Sequence, residues 1–303
     1  MLPDRPLTVG VSTRNRPQSL ARCLASLEAL DRLIAEIIVV DDAGEVSLEH
    51  ALATLPPSVR HKLSIVRQEA SRGCIAGRNA IVRAATSPYV LQLDDDAYVI
   101  DASAVGRGLE LMAAHDQVAA VAYAQAEADG SPWPASMQPS AASYRCQVPA
   151  YIGFAALLRR STFLDVGGYR ESFFFYGEEK DLCMRALDAG HQVVYLPDAL
   201  VAHVPDPSGR SQTRYLRYVI RNDCLCALYN EPLPMALLSV PVRLARYVSI
   251  RRHRSVADPD GFQWILGELV AALPDVWRTR TPMRWASVRR WRTLRAAPPV
   301  FDS

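Results

Sequence analysis

Lysine is almost missing from this 303-residue chain: Lys62 and Lys180 stand alone, and every other basic residue is an arginine. The signs of several protein classes are missing too. Six cysteines in so long a chain exclude a disulfide scaffold. None forms a C-x-x-C pair, and Cys224-x-Cys226 has no zinc-type partner pair elsewhere, so reduced, mostly buried thiols are expected. The absence of a G-x-G-x-x-G fingerprint argues against a nicotinamide-dinucleotide enzyme. Met1–Pro6 contains no apolar h-region, so no secretory signal is expected. The apolar run Met235–Val240 stops at Pro241, far short of the roughly 18 residues a spanning helix needs, so none is expected. No internal repeat, low-complexity segment or recognised nucleic-acid module is visible, and no nucleic acid is expected as a partner.

What is present is a half-apolar composition, which excludes disorder and suffices for a sizeable core. The net charge of +2 conceals an asymmetry. Residues 207–303 hold sixteen arginines against seven acids, an excess of nine positive charges, and the first 206 residues carry the balancing seven negative ones. Two surfaces with two tasks are expected, divided near Pro205-Asp-Pro-Ser-Gly209: a first domain over 1–206 and an arginine-rich helical extension over 207–303.

Apolar runs at Leu7–Val11, Glu36–Val40, Leu63–Arg67, Tyr89–Leu93 and Val118–Tyr123 read as strands. Helical patterns separate them, one opened by Pro17 with Leu20, Leu24 and Leu27 in phase, others near 75–85 and 104–114. This alternation predicts an α/β fold whose central sheet is mostly parallel and covered by helices on both faces. Further strands are expected at Ile152–Arg160 and Gln192–Leu196, the latter ending before Pro197, with a helix over Glu178–Ala189. Residues 125–150, interrupted by Pro132, Pro134 and Pro139, read as a loop over the site. The tail predicts helices near 212–229, 233–252, 261–273 and 283–295.

Chemistry gathers where strands end, the edge at which open parallel sheets bind ligands. Asp94-Asp95-Asp96 follows an apolar strand. Three adjacent carboxylates repel unless solvated or neutralised, and hard cations such as Mg²⁺ or Mn²⁺ take oxygen ligands. Extended geometry points Asp94 and Asp96 one way and Asp95 the other. Asp41-Asp42 ends the second strand, suited either to a ribose or base or to a turn. Arg72-Gly73…Gly77-Arg78-Asn79 opens a helix with glycines and guanidiniums suited to a diphosphate, or forms a plain turn. Glu178-Glu179 follows the aromatic run Phe173–Tyr176. Acids favour a helix N-terminus, and a carboxylate beside aromatics and another acid can also serve as a general base.

In order, Val9–Arg16, Ile38–Asp42, Arg72–Asn79, Leu93–Asp96, Gly167-Gly-Tyr169, Gly177–Leu182 with Arg185 and Gly190, then Pro197 and His203 resemble glycosyltransferase family 2, with its rhamnosyltransferase-like members. The resemblance covers about residues 7–204 and implies the GT-A fold and inverting chemistry. It implies that Ser12, Thr13, Arg14 and Asp42 hold the nucleotide base and ribose and that Arg78 lies near the nucleotide. Asp94, Asp95 and Asp96 match the DXD-type motif, with Asp96 the direct ligand of Mn²⁺ or Mg²⁺, Asp94 beside it, and His203 completing the metal site. Glu179 matches the base that deprotonates the acceptor. Glu at this position departs from the usual Asp and leaves Glu178 as the other candidate. Asp41-Asp-Ala-Gly44 replaces the usual Asp-Asp-Gly-Ser, and Arg14 stands where a tyrosine is usual.

The function expected is metal-dependent transfer of a sugar from a nucleoside-diphosphate sugar to a saccharide or lipid-linked acceptor in cell-surface glycan synthesis. A noncatalytic sugar-nucleotide or carbohydrate-binding protein on the same fold is the alternative. Trp277, Trp285 and Trp291 lie among seven arginines, a pattern suited to an anionic membrane surface or to helices packed on the first domain. The expected location is the cytoplasm, with peripheral contact at the inner membrane face.

Overall fold

A computed structural model describes residues 4–206, 211–253 and 256–302. The start of the proposed linker, Pro205 and Asp206, is described; its remainder, 207–209, lies outside these residues.

The elements in order are β1 (Leu7–Thr13), α1 (Pro17–Ser26), β2 (Ile34–Asp41), α2 (Glu49–Ala53), α3 (Pro57–Arg60), β3 (Leu63–Arg67) and α4 (Cys74–Ala84). Next come β4 (Tyr89–Asp94), β5 (Ala97–Val99), α5 (Ala102–Ala114), β6 (Val118–Ala126), β7 (Cys146–Val148), β8 (Ala155–Arg159) and α6 (Arg160–Asp165). The chain continues with α7 (Glu178–Asp188), β9 (Gln192–His203), α8 (Gln212–Asn230), α9 (Leu233–His253), α10 (Gly261–Thr279) and α11 (Trp285–Ala296).

One nine-stranded sheet orders as β3-β2-β1-β4-β8-β6-β9-β5, with β7 also on β9. The segment β3-β2-β1-β4 is parallel, as the alternation predicts. Beyond it β8 runs antiparallel to β4 and β6, so the sheet is mixed. Alternate residues of β2 explain the two covered faces. Ile38 and Val40 join Ile75 and Ile81 of α4 on one side. Ile37 and Val39 join Leu20 and Leu24 of α1 and Leu109 of α5 on the other.

Three prolines fail to end their elements. β9 continues past Pro197: its pairing with β6 jumps from Leu196↔Tyr123 to Leu200↔Ala124, so residues 197–199 form a bulge that spares Pro197 a ladder hydrogen bond. α9 runs through Pro241, as the helical pattern over 233–252 expects, so the apolar stretch does not end at that proline. The hydrogen bond lost is to the carbonyl of Leu237, and both residues face solvent, where water can replace it. The resulting helix, with a mean hydropathy of 1.3 over its best window, is long and apolar enough by length and composition to cross a membrane. α10 likewise passes Pro274 and ends at Thr279 rather than near 273.

The basic extension is built into the main core. Leu216, Ile220, Cys224 and Leu225 of α8 belong to the same apolar cluster as Tyr169, Phe173 and Leu182. Each such fully buried aliphatic side chain stabilises the fold by roughly 1.5–3 kcal/mol. The charge boundary near Asp206 is therefore a change of surface and not a break in the core.

Candidate active site

The carboxyl ends of three parallel strands fall level. Thr13 pairs with Asp41, and Ser12 with Asp94. After β4 the chain turns through Asp95-Asp96 into β5, whose Ala97 lies opposite His203 at the end of β9. The sheet thus brings a histidine more than a hundred residues away to the aspartates.

Asp94, Asp96 and His203 each offer one ligand atom, and these atoms lie within 4.8 Å of one another. Asp95 points away: its carboxylate accepts from Thr13 Oγ1 at 2.7 Å and from Arg16 Nη1 at 3.2 Å. Burial lifts the Asp95 carboxyl to about 6, against the opposing pull of Thr13 and Arg16. Asp96 is 4 % exposed and accepts the Asp206 amide at 3.0 Å.

His203 is held by three residues that carry no motif. Its Nδ1 lies 2.7 Å from Gln125 Oε1. Gln125 Nε2 donates to the Met137 carbonyl, so Oε1 is the acceptor and Nδ1–H the donor. Nε2 is thereby turned towards Asp96 Oδ1, 3.5 Å away. Trp133 and Phe154 stack on the imidazole at 5.2 and 5.1 Å between ring centroids. Two carboxylates and an imidazole nitrogen suit Mg²⁺ or Mn²⁺, with positions left for diphosphate oxygens and water. The residues fit such an ion.

Gly177 takes a left-handed φ of 86° and opens α7, which presents Glu178 and Glu179. The turn before it is clamped from the extension: Asn222 Nδ2 of α8 donates to the carbonyls of Phe173, Phe175 and Tyr176 at 2.9, 2.8 and 2.7 Å. Arg185 fastens the other side of α7 by donating to the carbonyls of Val166 and Gly168 and to Asp181.

The two acids differ. Glu178 is 2 % exposed, its Oε1 contacts Arg78 Nη1, and its Oε2 is buried without a partner. The side chain of Glu179 is 17 % exposed and sits 3.6 Å from Arg78. It rests where Gly153 has no side chain; a Cβ there would lie 2.0 Å from Glu179 Oε1. Burial and the neighbouring Glu179 raise the Glu178 carboxyl to about 8, with Arg78 opposing. Burial also raises Glu179, again against Arg78. One guanidinium cannot neutralise three carboxylates, so the most buried acid keeps its proton longest.

Arg78 is the third carboxylate's partner as well, reaching Asp94 Oδ1 at 2.5 Å and the Gly153 carbonyl at 2.9 Å. At the start of α4, side chains of the protein itself take some of the donors expected to face a diphosphate. Asp42 accepts from the backbone amides of Arg72 and Gly73 at 2.6 and 3.0 Å and from Ser71 Oγ at 2.7 Å. Arg72 pairs with Glu171 at 2.9 Å, and Arg78 is committed to the acids. Asp42 thus anchors this loop through the amides of Arg72 and Gly73. Arg14 is exposed and donates to Ser71 at 3.1 Å. Ser12 lies under Gly77, where a Cβ would meet its Oγ at 2.4 Å.

Of the expected residues, the structure unites Asp94, Asp96 and His203, and joins Asp94 to Glu178 and Glu179 through Arg78. Ser12, Thr13, Arg14 and Asp42 line the strand ends beside them. Sequence reasoning missed Arg16, Gln125, Trp133, Gly153, Phe154 and Asn222. Gln125 alone left a trace, as a glutamine near the end of the wholly buried strand β6.

Residues 8–176 match the family described as Glycosyl transferase family 2. A pre-mycofactocin glycosyltransferase of Mycobacterium tuberculosis is 28 % identical over 215 residues, 66 % of this chain and 43 % of that protein. Succinoglycan biosynthesis protein ExoU of Rhizobium meliloti is 30 % identical over 59 % of this chain and 56 % of its own. An N-acetylglucosaminyl-diphospho-decaprenol L-rhamnosyltransferase of M. tuberculosis is 35 % identical over 34 % of this chain and 36 % of its own. The chain thus spans about half or less of the length of these relatives. Among solved structures, a mannosyltransferase from Pyrobaculum calidifontis in complex with GDP-Man and Mn²⁺ superposes with a TM-score of 0.59 at 16 % identity, covering 97 % of this chain and 88 % of its own. Staphylococcus aureus TarS 1–349 does so with a TM-score of 0.62 at 17 % identity, covering 96 % and 87 %. The fold is GT-A, and the chain belongs to glycosyltransferase family 2.

Proposed function

We propose that this protein is a metal-dependent, inverting glycosyltransferase that moves a sugar from a nucleoside-diphosphate sugar to an acceptor hydroxyl. The observation that carries the proposal is the position of Arg78, whose one guanidinium contacts both Asp94 of the candidate metal cluster and the Glu178-Glu179 pair. Such a link keeps a cation site and a base close together, as a displacement requires.

Asp94, Asp96 and His203 would hold Mn²⁺ or Mg²⁺, which supplies charge stabilisation for the departing diphosphate. Glu179 is the base. It is the more accessible acid, while Glu178 is sealed behind it with one oxygen on Arg78. As the acceptor oxygen bonds to the anomeric carbon, its proton passes to Glu179. The bond from that carbon to the diphosphate oxygen breaks, and its electron pair leaves with the diphosphate. One in-line displacement inverts the anomeric centre. Ser12, Thr13 and Arg14 border the space for the nucleoside, with Asp42 holding the loop beside it and Asp95 fixing Thr13.

The mannosyltransferase bound to GDP-Man and Mn²⁺ supports the donor class and the metal. The decaprenol-linked rhamnosyltransferase and the succinoglycan protein support a saccharide or lipid-linked acceptor and a part in cell-surface glycan synthesis, with the protein working at the cytoplasmic membrane face. The test is Asp96→Ala. It should abolish Mn²⁺-dependent donor hydrolysis and transfer, and unchanged rates would refute the metal assignment. Donor binding without turnover in the wild type would favour a noncatalytic binder.

A further inference from the structure

α9 keeps an apolar face in water. Of its 21 residues only Ala236 and Tyr247 are buried, while Leu237, Leu238 and Val242 are 63, 76 and 69 % exposed. On α10, Val270 and Trp277 are 64 and 73 % exposed. Leu237, Leu238 and Trp277 lie towards one end of the helical extension, with Val242 and Val270 nearer its middle. The last turns of α9 meet the segment before α10 through Tyr247 Oη to Asp258 Oδ2 at 2.7 Å and Arg251 to the Asp258 carbonyl at 2.9 Å. Arg280, just after α10, donates to the carbonyl of Glu231, two residues before α9, at 2.9 Å. The two helices are therefore antiparallel, and the leucines of α9 lie at the Trp277 end of α10.

Positive charge fringes this end. Arg292 of α11 reaches Met235 at 3.5 Å. Among the described residues, Arg246, Arg289, Arg292 and Arg295 make no ion pair, and Arg246 follows Leu238 and Val242 at four-residue steps on the same face of α9. Leucine and tryptophan bordered by unpaired arginine is the chemistry of the headgroup boundary of an anionic bilayer.

We infer that this ridge docks the protein on anionic lipid. A second copy of the chain suits it less, because a two-fold contact would set each arginine fringe against its own copy. Spanning does not suit it either. The opposite face of α9 is tied down by Arg243 to Glu231 at 2.8 Å and to Asp223 at 3.2 Å, and insertion would strip these pairs. The helix lies on the membrane. The inference takes its purpose from the lipid-linked acceptor proposed above, but its test needs no turnover.

The test is co-sedimentation of the full chain with vesicles of phosphatidylcholine alone and of phosphatidylcholine mixed with phosphatidylglycerol. Wild type should pellet with the anionic vesicles only, and less at high salt. Leu237→Asp with Leu238→Asp should weaken binding at least about tenfold, with unchanged melting temperature, because charge is forced into the apolar contact. Arg289→Gln, Arg292→Gln and Arg295→Gln together should weaken binding and flatten its salt dependence. Failure of the wild type to bind anionic vesicles, or equal binding by the Leu237→Asp, Leu238→Asp protein, would overturn the inference. So would a lipid-free dimer that the same pair of substitutions dissociates. Retained sugar transfer in any of these outcomes would leave the catalytic reading standing.

Discussion

Replacing Arg78 with methionine removes the cation that three carboxylates share. Arg78 is 7 % exposed and its partner Glu178 2 %, so both groups are out of water. Above about pH 8, where Glu178 is ionised, breaking this buried pair by deleting one partner costs about 3–5 kcal/mol. Asp94, with 36 % of its side chain exposed, adds little because water screens it. At about 2–4 °C per kcal/mol in a chain of this size, the variant should melt roughly 6–20 °C below wild type. The gap should depend on pH. A carboxyl raised above its ordinary 4.5 contributes fully below that value and loses its contribution as pH rises through the folded value, about 8 for Glu178. Without Arg78 the folded values of Glu178 and Glu179 rise further, so more is lost and the loss extends to higher pH. Melting curves from about pH 5 to 9 should therefore diverge upward. Arg78→Lys, which keeps the charge without the fork, should recover part of the loss. A melting point within a degree or two of wild type, or a gap that narrows as pH rises, would refute the shared-cation reasoning.

Three other outcomes follow from the same geometry. Glu178→Gln should flatten the fall in melting temperature between about pH 5 and 8; an unchanged slope would show that Glu178 is not the acid held protonated. Asn222→Ala removes the donor shared by the carbonyls of Phe173, Phe175 and Tyr176 and should cost about 1–3 kcal/mol, lowering kcat more than it changes donor KM; a pure stability loss with normal kcat would deny the turn a role in aiming Glu179. Gln125→Leu frees the tautomer of His203 and should weaken Mn²⁺ binding about 10–100-fold, read by calorimetry; unchanged affinity would remove Gln125 from the metal's support.

Much of the fold was legible because burial leaves a periodic trace. The apolar runs of β1, β2 and β4 and the four tail helices were all readable, and their aspartates were readable as strand ends. The prolines misled, since Pro197, Pro241 and Pro274 each sit where a bulge or solvent absorbs the missing hydrogen bond. The partners of the α4 start were not legible, since nothing in Arg72-Gly-Cys-Ile-Ala-Gly-Arg78 reveals Asp42 or Glu178. The support of His203 was invisible because Gln125, Trp133 and Phe154 meet it only through the pairing of β6, β8 and β9. Asn222 lies nearly fifty residues from the turn it clamps, and its buried amide looks like any other polar residue in a helix.

The most direct test of the account compares Glu179→Gln with wild type on nucleoside-diphosphate sugars in the presence of Mn²⁺, measuring donor affinity by calorimetry and turnover on the same samples. If Glu179 takes the acceptor's proton, donor affinity stays near wild type while transfer falls by roughly 10²–10⁴. Undiminished transfer by this variant would contradict the assignment of the base, and with it the reading of the cleft.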